Sequence, residues 1–422
     1  MSTFLEKVKK LEPPKEKRFL HTLYDGFFTF LYTPDHVTHG KGVHIRDRMD
    51  LKRTMVMVVI ALQLCYIFGT YNIGHQHFAA LGMHTPFLAA MHLKLVYGLI
   101  KILPIFIVTH VVGLGVEFYY AAKKGHGIEE GFLVTGALIP LIMPPDIPLW
   151  ILTLAVAFAV ILGKEAFGGT GMNVVNIALL ARAFVFFAYP GEISGDRCWI
   201  AGLEYGDAGT TGEMYGWAHH LFDGIFRWFG VTTFGEGGGA VVDGFSGATP
   251  LSLMKGGWGN VTAHYSPLQM LWGDIPGSVG ETCKPAILVG AAMLIVTGIA
   301  SWRIMISMFL GAAFMAIVFN WWGHDPMMDI PWYFHFYMGS FWFAMAFMAT
   351  DPVTASSTNT GKWIYGFAIG MLGIVIRVMN AAYPEGWMLA ILFMNVWAPT
   401  IDHFVVNANM KRRLKKAAVV TN

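Results

Sequence analysis

Apolar runs of about twenty residues recur from one end of this chain to the other, and a hydrocarbon core about 30 Å thick takes a helix of that length to cross. The runs fall near 54–74, 95–121, 131–145, 148–166, 173–190, 277–299, 303–322, 332–350, 363–380 and 385–406. The expected fold is an all-α polytopic membrane protein of about ten transmembrane helices, the third too short to cross without a tilt or a break. Only 13% of the 422 residues are charged and 55% are hydrophobic. A soluble domain carries roughly a quarter charged residues, so this chain cannot cover a water-facing surface. The net charge of +2 gives no sign of a nucleic-acid partner. Cys65, Cys198 and Cys283 stand far apart with no CxxC pair, which points to neither a zinc site nor a disulfide framework.

The placement of charge sets the expected topology. Residues 1–53 carry eleven Lys and Arg and lack a cleavable apolar leader, so this basic segment is expected to stay in the cytoplasm. Threading five helices through 54–190, a long connection over 191–275 and five more over 277–406 puts 21 of the 29 basic residues on the cytoplasmic side, including the tail at 407–422. The connection then lies outside, with three basic residues against nine acidic ones. Five helices on each side of it would relate the halves by inverted topology, an arrangement that places sites at the mid-membrane interface of transporters.

Three polar stretches interrupt this apolar sequence. Asp243-Gly244-Phe245-Ser246-Gly247-Ala248-Thr249-Pro250 lies in the outer connection and ends on a hydroxyl flanked by small residues. Thr followed by Pro reads most simply as a helix N-cap. Lys164-Glu165-Ala166-Phe167-Gly168-Gly169-Thr170-Gly171 leads to Asn173 and Asn176. Three residues apart, these two share a helix face, where their amides either satisfy a helix junction or read the edge of a planar heterocycle such as an isoalloxazine. Met348-Ala349-Thr350-Asp351-Pro352, with the Ser and Thr residues after it, is rich in the oxygen ligands that hard cations prefer, and reads equally as a polar turn. Glu117, Arg182, Arg377 and Asp402 are ionisable groups within apolar sequence, a default sign of an ion or proton route; snorkelling to the interface accounts for Glu117 and Asp402 about as well.

Taken together in this order, with Asp50-Leu51-Lys52-Arg53, Arg182-Ala183-Phe184, Ile275-Pro276-Gly277-Ser278, Ala300-Ser301-Trp302-Arg303 and Tyr383-Pro384-Glu385-Gly386, these motifs resemble the B subunits of bacterial sodium-translocating NADH:quinone oxidoreductases. The resemblance extends over nearly the whole chain. It implies that Thr249 carries FMN through a phosphoester bond made by a separate flavin transferase, and that Asn173 and Asn176 hold riboflavin without a covalent bond. It implies ion-pathway roles for Glu117, Asp351 and Asp402, and quinone binding near Gly113 and Leu114, where the family has a second glycine in place of the leucine. Members often have Asn-Pro-Ala at the second asparagine; this chain has Asn176-Ile177-Ala178.

The implied function is that of a flavin-bearing subunit in the inner membrane, passing electrons from FMN through riboflavin to ubiquinone while sodium is exported. No Rossmann-type fingerprint is present, so NADH is expected to be oxidised by partners, the A, C, D, E and F subunits of a six-subunit complex. Two other readings stand beside this one: a related subunit of a ferredoxin:NAD oxidoreductase, and a channel or carrier of small solutes with no redox role.

Overall fold

The computed structural model describes a few positions between 12 and 28, then residues 51–80, 82, 86–124, 131–193, 198–202, 247–380 and 385–420. Most of the basic N-terminal segment, and the connection from 203 to 246 with Asp243 to Ser246, lie outside the described residues. Six helices are long and apolar enough to cross a membrane: α1 (Leu51–Ala80), α2 (Met91–Lys124), α4 (Leu149–Gly163), α10 (Trp302–Trp322), α12 (Asn359–Met379) and α13 (Trp387–Val420). Three more apolar helices are shorter: α3 (Phe132–Ile142), α5 (Ile177–Ala188) and α9 (Lys284–Val296). Three brief ones, α6 (Pro250–Leu253), α7 (Trp258–His264) and α8 (Pro267–Trp272), follow that connection. Among the described residues the count is thus six full spans and three partial ones where ten crossings were expected.

The remaining expected run, 332–350, is broken. A 3-10 turn at Trp332–Phe336 gives way to α11 (Phe341–Phe343), which widens into a π-helical stretch at Ala344–Met348. Gly339, at φ +68°, makes the bend between them, a conformation that costs glycine little. A mid-helix π stretch marks functional sites often enough to draw attention here. The basic tail, in contrast, is no separate segment, because α13 runs on through it to Val420.

Partial helices of 11 to 13 residues rise only about 16–20 Å, less than the hydrocarbon thickness. Their non-helical continuations are tolerated at membrane depth because protein covers them: Leu138, Leu141, Ile142 and Met143 around the end of α3 are buried, as are Ile275, Val279 and Cys283 before α9. Large apolar residues on the outside, among them Val111, Phe187, Trp321 and Phe404, are exposed where lipid replaces water. With lipid outside, helices associate through close backbone approach rather than apolar burial. A Cβ on Gly311 of α10 would lie 2.1 Å from the Phe367 carbonyl oxygen of α12. Only glycine permits that separation, and α10 and α12 form the most extensive helix pair.

Candidate functional site

The two polar stretches that break the helices face one another across a cleft. Its walls include Lys164, Thr170, Asn173, Asn176, Thr350 and Asp351, backed by apolar residues of α1, α3 and α9, around a free volume of about 90 Å³. The walls, mostly apolar with a few placed polar groups, have the make-up of small-molecule and cofactor sites, while the volume is below their roughly 300–1,000 Å³. One wall is shaped by Gly168, Gly169 and Gly171, all at positive φ, which turn the chain back between α4 and α5.

Asn176 is the N-cap of α5, its Oδ1 accepting from the Leu179 amide at 3.1 Å, while its Nδ2 reaches Asp351 Oδ2 at 3.5 Å. Asn173 Nδ2 donates to the Val175 carbonyl at 3.2 Å. Each amide therefore secures the helix junction, and both residues line the cleft. Asp351 is fixed by the Val353 amide at 3.1 Å and the Thr354 hydroxyl at 3.0 Å. Asn395 of α13 supports the arrangement from behind. In the amide orientation that satisfies its neighbours, its oxygen accepts from the Asn176 backbone N–H at 3.1 Å and its nitrogen donates to Tyr365 and to the Ile391 carbonyl. Nothing in its sequence neighbourhood marks Asn395 out, since a lone amide in an apolar run has no spacing to read.

Glu117 stands behind this wall and is paired with Lys164, whose Nζ donates to Glu117 Oε1; both side chains are buried. The lysine thus lies inside the protein and lines the cleft. Gly113, one turn before Glu117, lies against the ring of Phe132: a Cβ there would come 1.8 Å from Cζ. Leu114 packs half-buried against the core. Gly113 and Leu114 are not among the residues lining the cleft.

Asp402 is occupied differently. From α13 its two oxygens accept from Ser356 Oγ at 2.7 Å, from the amides of Ser357 and Thr358 at 2.7 and 3.0 Å, and from Thr358 Oγ1 at 2.5 Å. These are the orphan amides and caps at the start of α12, so Asp402 ties down the loop that carries Asp351.

Thr249 caps α6, its Oγ1 accepting from the Ser252 amide at 3.1 Å, as the Thr-Pro pattern predicts. It is only half-buried. Capping takes up one lone pair of the hydroxyl and leaves its hydrogen replaceable by an ester bond. Leu251, two residues on, and the Arg377 guanidinium both approach Gly339, at 3.4 and 3.0 Å from where a Cβ would stand. A buried charged group thus lies near Leu251 of the helix that Thr249 opens.

Interrupted helices, intramembrane acids paired with bases and a cleft between two broken segments define a polytopic membrane protein of the translocating kind. The chain belongs to the NQR2, RnfD, RnfE family, whose model matches residues 38–411. It is similar to proteins named as the B subunit of Na(+)-translocating NADH-quinone reductase. The one from Chromohalobacter salexigens is 43% identical over 97% of this chain and 95% of its own length. Those from Pseudomonas aeruginosa and Stutzerimonas stutzeri are 42% and 40% identical, covering 94% and 98% of each chain.

Proposed function

We propose that this chain is the flavin-bearing membrane subunit of a sodium-translocating NADH:quinone oxidoreductase, carrying FMN on Thr249 and riboflavin at Asn173 and Asn176, and delivering electrons to ubiquinone as sodium is exported. The observation that carries the reading is the cleft itself. Asn173, Asn176 and Asp351 come from distant parts of the sequence to one polar-edged, apolar-walled space, in a chain 40–43% identical to named relatives over nearly its full length.

The flavins, when bound, supply the electron chemistry. The chain's own residues place them. Asn173 and Asn176 each carry an amide N–H beyond the contacts described above and offer it to a heterocycle's edge. Apolar residues of α1, α3 and α9 exclude water from its faces. Thr249 Oγ1 serves as the ester oxygen, positioned by its cap to α6. Glu117 and Asp351 are the acids of the ion path nearest the cleft, and Asp402 acts by holding the loop that bears Asp351. One unit charge at 4 Å shifts another by about 4 kcal/mol at an effective dielectric of 20, enough for an electron arriving in the cleft to change a cation's occupancy beside it. Quinone binds near Gly113 and Leu114 of α2.

The reading extends to topology and assembly: an inner-membrane protein with both termini cytoplasmic, working with the A, C, D, E and F subunits and matured by a flavin transferase. Two inverted five-helix halves fit the short third member of each set, α3 in one and the broken 341–348 stretch in the other.

The test is made on the chain expressed with a flavin transferase. A denaturing gel should show a fluorescent band for wild type and none for Thr249→Val, and mass spectrometry should place an FMN phosphoester on Thr249. An unmodified Thr249 in the working complex would reject the reading and leave a solute conduit.

A further inference from the structure

We infer that the furrow between α10 and α12 seats one anionic phospholipid, an acyl chain lying along the furrow and the headgroup phosphate at its basic end. Ser307 and Leu310 of α10 and Trp363, Phe367, Met371 and Val375 of α12 line a free volume of about 610 Å³. Leu310, Trp363 and Phe367 are exposed, so the furrow opens on the surface that lipid covers. The two helices run in the same direction, since Ser307 Oγ donates to the Lys362 carbonyl at 3.3 Å and Gly311, one turn on, sits against Phe367. Their starts are joined by Trp302 and Trp363, whose rings meet edge to face with centroids 5.9 Å apart. The Arg303 guanidinium lies over the Trp302 ring at 5.0 Å, and Lys362 directly precedes Trp363. Both cations therefore stand at one end of the furrow. Among the described residues neither is ion-paired to an acid.

Length and charge together select the occupant. The helical rise from Trp363 to Val375 is about 18 Å, close to half of a hydrocarbon core about 30 Å thick. A chain from one leaflet fills that depth with its head among tryptophan and basic residues, which gather at the membrane interface. There a phosphate takes Arg303 through paired N–H donors and Lys362 as a point charge, as basic pockets between membrane helices hold anionic headgroups. Ser307, the hydroxyl in the lining, turns to the Ile304 and Lys362 carbonyls, which leaves the furrow apolar below its mouth. A partner's transmembrane helix fits less well. Close helix approach needs small residues, and those of this pair, Gly311, Gly366 and Gly370, are taken up by the contact of α10 with α12. The furrow shares no lining residue with the cleft and does not depend on what the cleft holds.

Native mass spectrometry of the full-length chain, delipidated in detergent and offered equal amounts of phosphatidylglycerol and phosphatidylcholine, tests this. Wild type should retain one phosphatidylglycerol in preference. Arg303→Gln with Lys362→Gln should lower that preference about thirtyfold, the worth of two basic residues at an anionic surface. Ala368→Trp, which fills the furrow and leaves both charges in place, should lower retention of either lipid. A photoreactive benzoylphenylalanine replacing Phe367 should label lipid in native membranes. The inference is overturned if wild type retains the two lipids equally, if the double variant keeps the preference, if Ala368→Trp binds as wild type does, or if the probe at position 367 labels a polypeptide, whether a partner or a second copy. Should the variants fail to accumulate, wild type decides: equal retention of the two lipids, or displacement of the retained one by inorganic phosphate, overturns it.

Discussion

Lys164 and Glu117 meet inside the protein, the lysine from the end of α4 and the glutamate from α2, as an ion pair with both residues at most 5% exposed. Removing one partner of a buried pair leaves the other charge without compensation, which typically costs about 3–5 kcal/mol. Lys164→Met should therefore destabilise the protein strongly, and the double variant Lys164→Met with Glu117→Gln should recover much of the loss. A double-mutant cycle on thermal unfolding in detergent measures the coupling. Additive losses would show that the two side chains act separately.

Asn173 and Asn176 should separate into two phenotypes. Asn176 caps α5, so Asn176→Leu should lose about 1 kcal/mol of stability together with acid-extractable riboflavin. Among the described residues the Asn173 amide bonds to the carbonyl two residues on, so Asn173→Leu should lose the flavin with little change in midpoint. Chromatography of the extracted flavin, read beside the melting curves, distinguishes them. Equal destabilisation with full flavin content would mean the pair is a helix junction alone.

At Gly113 the expected effect is steric. A methyl group there collides with Phe132, and overpacking a filled core typically costs about 1–3 kcal/mol. Gly113→Ala should lower stability, and adding Phe132→Leu should restore it. If quinone reduction also falls in Gly113→Ala and returns with the second change, the α2–α3 contact sets the quinone groove rather than the glycine itself.

For Asp402 a loss spread over several bonds is expected. Asp402→Asn keeps one acceptor oxygen where two served Ser356, Ser357 and Thr358, and hydrogen bonds to charged groups contribute about 1.5–3 kcal/mol each. Hydrogen exchange of the 356–358 amides should quicken in Asp402→Asn. Sodium affinity should fall less than in Asp351→Asn, because Asp351 lies on the cleft and Asp402 behind it. Equal losses of sodium affinity would give Asp402 a direct place in the path.

Much of this architecture was legible in the residues, because the length of an apolar run is set by bilayer thickness and not by partners elsewhere in the chain. The runs at 54–74 and 95–121 became α1 and α2 with only their ends moved. The run at 332–350 was not legible as a broken segment: Phe341 to Met348 is as apolar as any span, and that its π stretch packs against α9, α10 and α13 is a tertiary fact. The cleft was half legible. Asn173, Asn176 and Asp351 stood out as polar residues in hydrocarbon, but that they share a wall is a tertiary fact. The burial of Lys164 was not legible, since a basic residue at a helix end usually reaches for water, and its pairing with the buried Glu117 is a tertiary fact.

The unbroken course of α13 has a mechanical consequence. Thirty-four helical residues reach about 50 Å, and a hydrocarbon core takes up about 30 Å of that, so a stiff stalk stands clear of the lipid with Lys411, Arg412, Arg413, Lys415 and Lys416 all exposed upon it. At roughly 1 kcal/mol per basic residue held near an anionic leaflet, that stalk resists being drawn inward. It acts as a stop that fixes the depth of α13, and with it the height at which Asn395 and Asp402 meet their partners.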